Sequence, residues 1–170
     1  DDRLTDGAFT NIVFTAALCG DYSWAETFIH KFAPRLENSK RLNAVALAES
    51  CLWYARGELD KAHSRLLDVD ITIPSYDIRA KGLLLKIAFD SYVKKGKDYE
   101  YLVSYLASYE KYVQSRPLWG EKKLAFLNQI KFIRKLAKLK FVKVQVSQNQ
   151  KHDLLKTLER LQPLISKNWL

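Results

Sequence analysis

Apolar residues recur at intervals of three and four along most of the chain, which is the periodicity of amphipathic α-helices. Glycine or proline interrupts this pattern at regular intervals, and each interruption predicts a turn between two helices. We therefore expect an all-α protein of about eight helices. Their expected bounds are 5–19, 22–33, 39–56, 59–70, 76–95, 98–115, 120–142 and 151–168.

Three glycines divide these predicted helices into similar hairpins. Gly20, Gly57 and Gly96 lie 37 (20 to 57) and 39 (57 to 96) residues apart, and each precedes the start of a new helix. A small residue follows the first two glycines at the same offset, as Ala25 and Ala62. The larger apolar residues at matching later offsets are Ile29 and Leu66, and then Phe32 and Val69. The matching offsets favour a repeat over three unrelated hairpins that each turn at a glycine.

The third unit matches the first two only when its register is shifted by one residue, to Leu102. The fourth unit, from Arg116 on, has no equivalent glycine and is predicted to cap the series. A unit of this length cannot bury its own apolar face, so the pattern predicts hairpins that stack on one another.

The segment Gly20-Asp21-Tyr22-Ser23-Trp24-Ala25, echoed from Gly57 to Ala62, resembles the turn and second-helix start of tetratricopeptide repeats. Residues 79–86 and 127–132 extend this resemblance. Positions 5–142 as a whole are similar to the tetratricopeptide-like domains of uncharacterised bacterial proteins. The resemblance implies antiparallel hairpins stacked as a short right-handed α-solenoid. The expected hairpins are 5–33, 39–70, 76–115 and 120–142 onward within a domain 1–142, followed by a linker 143–150 and a capping helix 151–170.

In tetratricopeptide-like stacks, the first helix of each hairpin lines an inner surface that holds a partner. The resemblance therefore implies a partly apolar groove suited to an extended or helical peptide. The expected lining residues are Thr10, Phe14, Leu18, Leu47, Cys51, Tyr54, Lys86, Asp90 and Val93. Because Thr10 and Leu47 stand where some family members place basic and amide residues, clamping of a peptide's terminal carboxylate is disfavoured.

Charge is concentrated in one predicted helix. The chain has a net charge of +9, and residues 116–143 contain nine basic residues and one acidic residue. At helical spacing, five of these cations share one face, opposite apolar residues such as Ile130 and Ile133. The five are Lys123, Lys131, Arg134, Lys135 and Lys138.

Four interpretations of this basic face compete. An acidic protein partner would be steered to it, and nucleic acid would release counterions on binding it. An anionic membrane would attract it more weakly, because the apolar side of the helix is needed by the core. The face is equally consistent with a solvated surface that maintains solubility. We predict a non-enzymatic scaffold for protein–protein interaction, with nucleic-acid binding through helix 120–143 as the alternative.

No motif for an active site, metal or cofactor stands out. The three histidines, His30, His63 and His152, are dispersed, and the glycines form no phosphate-binding loop. Cys19 and Cys51 lie in apolar helical stretches and are predicted to be buried free thiols. Four tyrosines of helix 98–115 share one side of that helix, and we predict core packing for them in preference to an exposed binding surface. They are Tyr101, Tyr105, Tyr109 and Tyr112.

The sequence contains no apolar stretch long enough for a membrane span and no signal-peptide pattern. Together with the free cysteines, this predicts a cytoplasmic protein. The chain begins Asp1-Asp2 and contains no methionine, so we expect it to be part of a longer protein.

Overall fold

The computed structural model describes residues 4–96, 99–116, 120–142 and 147–163. All regular structure in these ranges is helical, which confirms the prediction of an all-α protein. The helices are α1 (Asp6–Leu18), α2 (Tyr22–Phe32), a 3₁₀ helix (Ala33–Arg35), α3 (Asn38–Ala55), α4 (Leu59–Leu66), α5 (Pro74–Lys95), α6 (Tyr99–Ser115), α7 (Gly120–Phe141) and α8 (Gln148–Arg160). The chain divides into two compact units, Asp1–Ile87 and Ala88–Leu170, with the boundary inside α5.

Helices α1 and α3 end in the same kind of turn. Gly20 has φ +80° and Gly57 has φ +79°, in the left-handed region that glycine enters without steric cost. In each turn the glycine N–H donates to the carbonyl three residues earlier, and the next N–H donates to the carbonyl five residues before it. This pair of bonds is the Schellman arrangement, which satisfies the last carbonyls of a helix. The first two predicted units therefore share one backbone geometry at their turns.

The residues that follow these turns are buried in the same order. Ala25 and Ala62 are both inaccessible to solvent, and Ile29 and Leu66 are buried one turn later. A small residue allows two helix backbones to approach, and the larger side chains then fill the space between the helices. The burial therefore matches at these two offsets. It differs at the third offset, where Phe32 is half-buried and Val69 is buried.

The core of the first unit is built around α3. This helix packs against α1, α2 and α4, and its buried positions carry mainly small and medium-sized side chains. These include Ala44, Ala46, Leu47, Ala48 and Leu52. Since neighbours contact it on several sides, α3 is buried over a wider arc than a surface helix with a single apolar stripe.

Polar contacts also join the first hairpin to the second. The Tyr22 hydroxyl donates to the Ala55 carbonyl at 3.1 Å, and Arg56 forms an ion pair with Glu26 at 2.5 Å. The hydrogen bond from Arg56 lowers the pKa of the Glu26 carboxyl. These contacts tie the start of α2 to the end of α3.

In the second unit, α6 packs against α7. At the two positions compared for the third predicted unit, Leu102 is inaccessible while Tyr101 is exposed. The tyrosine side of α6 is mixed: Tyr109 is buried, whereas Tyr105 and Tyr112 are half-buried. The core-packing prediction therefore fits Tyr109 and does not fit Tyr101.

Helix α4 is shorter than predicted, ending at Leu66 instead of residue 70. Three N–H groups after it donate to carbonyls only three residues back, which tightens the last turn. The buried Asn43 side chain then accepts a hydrogen bond from the Asp70 N–H at 2.9 Å and draws the chain towards α3. A contact between residues so distant in sequence has no local signal.

The predicted linker 143–150 is wrong at its end. Ser147 caps α8, accepting from the Gln150 N–H at 3.3 Å while the Gln150 side chain accepts from the Ser147 N–H at 2.9 Å. This capping box starts the helix at Gln148, three residues earlier than predicted. The predicted capping helix is too long at its other end, because α8 ends at Arg160 and residues 161–163 are not helical. The rest of the predicted linker, 143–146, and positions 164–170 lie outside the described residues.

Candidate partner-binding surfaces

Two residues of the predicted groove lie in the core. Thr10 and Leu47 are almost inaccessible to solvent, and the Thr10 hydroxyl donates to the Asp6 carbonyl of its own helix at 2.9 Å. Both positions are covered because α1 and α3 pack against each other. The prediction that these two residues line a groove is therefore corrected: neither side chain can contact a partner.

The other predicted groove residues have different surroundings. Phe14, Tyr54 and Lys86 are half-buried, and Leu18 is exposed. Cys51 also lies in the core, so the prediction that it lines a groove is corrected as well. Asp90 belongs to the second unit, where it forms an ion pair with Lys94 at 3.0 Å, and Val93 of the same unit is exposed.

Three contacts join α1 to the first half of α5. The Tyr76 hydroxyl donates to the Asp6 carboxylate at 2.7 Å, and the Arg79 guanidinium donates to the Asn11 side-chain oxygen at 3.0 Å. The Lys86 Nζ lies 5.9 Å from the centre of the Phe14 ring. Residue numbers rise along both helices from one contact to the next, so α1 and α5 run in the same direction.

We define the α1–α5 surface as Asn11 and Phe14 of α1 with Arg79 and Lys86 of α5. Cys51 of α3 lies close enough to both cations for their charges to act on its thiol, and Tyr54 follows it one turn later on the same side of α3. Burial raises the pKa of the Cys51 thiol to about 11, while Arg79 and Lys86 oppose that rise. Asn11 and Arg79 were missed by the sequence analysis, because helical spacing alone did not indicate which side of α1 would meet α5.

Arg79 is the distinctive group of this surface. Its hydrogen-bond partner Asn11 is neutral, and within the described part of the chain no carboxylate lies at ion-pair distance from the guanidinium. A guanidinium has five N–H donors in a planar fork that matches a carboxylate. The α1–α5 surface can therefore accept an anionic group beside an aromatic ring.

The predicted basic face of α7 divides into two sets. Arg134 forms an ion pair with Glu110 of α6 at 2.7 Å, and Lys123 donates to the Gln114 carbonyl at 2.6 Å. These two cations hold α6 and α7 together. Lys131, Lys135 and Lys138 are exposed, and none of them has a hydrogen-bond or ion-pair partner among the residues the structure describes.

Apolar residues lie on or beside the exposed side of α7. Leu124 is 48% exposed, Phe141 is 55% exposed and Val142 is 58% exposed. The Phe141 ring stacks on Tyr99 with a centroid distance of 4.1 Å. The sequence pattern did not predict this exposure, because all three residues share the apolar character of core positions.

A cavity of about 410 Å³ lies beside the starts of α1 and α3. Its lining includes Asp6, Glu37 and Lys40. Asp6 accepts the Tyr76 hydrogen bond, and Glu37 forms an ion pair with Lys40 at 3.1 Å. Each of these three charged groups therefore already has a partner within the chain.

The two cysteines differ from each other. Cys19 is exposed, which corrects the prediction that it is buried, because it is the residue at which the chain leaves α1 before the Gly20 turn. Cys51 is buried as predicted. Among the described residues, no group of three or more His, Cys, Asp or Glu side chains could hold a metal ion.

In comparisons with known proteins, no protein-family model matches the chain, and no curated protein or solved structure matches it significantly. None of the helices in the described ranges combines the length and the apolar character that a membrane span requires.

Proposed function

We propose that the protein is a non-enzymatic helical-repeat scaffold that binds a protein or peptide partner at the α1–α5 surface. The observation that carries the proposal is the Arg79 guanidinium, held at 3.0 Å by the neutral Asn11 amide and placed on the same surface as Phe14. The matching turns at Gly20 and Gly57 support a repeat architecture. The tetratricopeptide-like solenoid remains part of this proposal.

The contacts indicate the chemistry of the partner. Arg79 and Lys86 lie seven residues apart on α5, which places their backbones about 10 Å apart along the helix. A peptide that carries a carboxylate beside an apolar side chain would meet a cation and the Phe14 ring together. Aromatic and arginine side chains contribute disproportionately to binding energy at protein interfaces. We therefore propose an acidic and partly apolar segment as the partner.

Selection from a displayed peptide library tests this function. The bait is the full chain, and we expect enriched peptides to combine Asp or Glu with an apolar residue. Arg79→Glu and Lys86→Glu should each weaken binding of the selected peptides at least roughly tenfold, because close charge pairs at interfaces couple by more than about 1.5 kcal/mol.

The matched control is Lys31→Glu. Lys31 is an exposed lysine of the same unit whose Nζ lies 5.6 Å from the centre of the Phe32 ring, much as Lys86 lies over Phe14. It should leave peptide binding unchanged. Failure to enrich peptides above a no-bait background, or equal losses in the control and the two test variants, would contradict the proposal.

A further inference from the structure

We propose that the exposed side of α7 in the second unit binds an anionic phospholipid surface peripherally. The residues concerned are Leu124, Lys131, Lys135, Lys138 and Val142, which we call the α7 stripe. This site is separate from the α1–α5 surface, so it stands or falls independently of the proposed peptide binding.

The geometry of the α7 stripe is that of a row along one helix. At about 100° per residue, its five members fall within about 60° of arc, and at about 1.5 Å per residue the row is about 27 Å long. All five side chains are exposed. A nearly straight row on one side of a helix can contact a flat surface along its whole length.

The charge of the second unit suits an anionic surface. Residues 88–170 contain 17 basic and 7 acidic residues, a net charge of +10, whereas residues 1–87 contain 11 basic and 12 acidic residues. Lys131, Lys135 and Lys138 lack ion-pair partners among the described residues, so binding them breaks no ion pair there. Lys140, on the opposite side of α7, donates to the Val93 carbonyl at 2.6 Å and stays outside the stripe.

The apolar members favour lipid over nucleic acid. Leu124 is 48% exposed and lies at one end of the stripe, while Val142 is 58% exposed at the other end, next to the exposed Phe141. Burial of aliphatic side chains at the boundary between headgroups and acyl chains is favourable, and lysines beside them contact anionic headgroups. A phosphate backbone would satisfy the lysines and leave Leu124 and Val142 against polar groups.

The structure favours membrane binding more than the sequence pattern does. The sequence assigned the apolar side of this helix to the core, and Ile130 and Ile133 do lie there. The α7 stripe carries apolar residues of its own in addition to those core positions. Charge and apolar contact together are the two contributions that stable peripheral binding requires.

Cosedimentation of the full chain with lipid vesicles tests the proposal. We expect binding to phosphatidylcholine vesicles that contain phosphatidylglycerol, no binding to pure phosphatidylcholine, and weakening as salt is added. Each lysine near an anionic surface contributes about fivefold in affinity. The triple variant Lys131→Glu/Lys135→Glu/Lys138→Glu should therefore lose at least roughly a hundredfold in affinity.

A second triple variant controls for net charge. Lys151→Glu/Lys156→Glu/Arg160→Glu makes the same change in charge on exposed positions of α8. It should retain most of the binding, because those residues lie outside the α7 stripe. Equal losses in the two triple variants would overturn the proposal by showing that only overall charge matters.

An apolar pair of variants tests the other contribution. Leu124→Ser/Val142→Ser keeps every charge and should weaken vesicle binding at least roughly fivefold, since burying each apolar side chain is worth more than about 1 kcal/mol. Leu42→Ser, at a position that is 80% exposed in the first unit, should have no effect. Absence of binding to anionic vesicles at low salt would refute the proposal. Tighter binding to RNA or DNA than to vesicles in the same buffer would establish the nucleic-acid alternative in its place.

Discussion

Replacing Gly57 with alanine tests the turn that ends the first helix of the second hairpin. Gly57 has φ +79°, and an added Cβ would have no atom within 4 Å, so the substitution creates no clash. Its cost is that of placing an L-residue in the left-handed region, about 1–2 kcal/mol. A less flexible unfolded chain offsets about 0.4–1 kcal/mol of that cost. The free energy of unfolding should therefore fall by about 1 kcal/mol.

Gly20→Ala should give the same loss, because Gly20 has φ +80° and equally open surroundings. Gly7→Ala is the matched control with the opposite sign. Gly7 is the second residue of α1 and has no atom within 4 Å of an added Cβ, so alanine should stabilise the chain by at most about 0.5–1 kcal/mol.

Urea unfolding of the full chain measures all three variants. Trp24 and Trp53 both lie in the first unit, and replacing Trp119 and Trp169 with phenylalanine makes the fluorescence report on that unit. A Gly57→Ala variant that is more stable than wild type would refute the left-handed turn. Losses at Gly20 and Gly57 that differ by more than about 1 kcal/mol would refute the equivalence of the two hairpins.

Three further outcomes follow from individual contacts. Tyr76→Phe should lower the free energy of unfolding by about 1.5–3 kcal/mol in urea, because it removes a partly buried hydrogen bond to a carboxylate. Burial, assisted by that carboxylate, raises the pKa of Tyr76 above its ordinary value of about 10. The stabilisation by the Tyr76 hydroxyl is therefore complete below that pH and is lost as the pH rises further. Wild type and Tyr76→Phe should converge in stability at strongly alkaline pH. A thiol reagent should modify Cys19 in the folded chain and Cys51 only in denaturant, since burial raises the pKa of Cys51 to about 11; equal rates would contradict this. Arg134→Glu should lower stability by about 1 kcal/mol in thermal unfolding, because it breaks the ion pair with Glu110. Lys135→Glu should leave stability almost unchanged, because Lys135 is exposed. A large loss of stability in Lys135→Glu would show that its face is buried.

The helices and most of their bounds were predictable because their signals are local. The Gly20 and Gly57 turns need a residue that tolerates positive φ, and that requirement appears in the sequence directly. Pro74 begins α5, where its missing N–H costs nothing. The early end of α4 was not predictable, because it depends on a hydrogen bond from Asp70 to Asn43 of another helix.

The candidate surfaces were only partly predictable. Lys131, Lys135 and Lys138 are exposed together, as their spacing predicts, whereas Arg134 of the same face is engaged by Glu110. Phe14 and Lys86 were expected on one surface and do lie against each other. Arg79 and Asn11 became candidates only when the contact between α1 and α5 was known.

The sequence by itself determined the helical fold class, the repeated glycine turns and the excess of positive charge between residues 116 and 143. Each of these depends on residues within a few turns of one another. Tertiary structure decided which side of each helix is covered: it buried Thr10 and Leu47, exposed Leu124 and Val142, and paired Arg79 with Asn11. The physical reason is that helical spacing fixes which residues share a face, while burial depends on the neighbour that packs against that face.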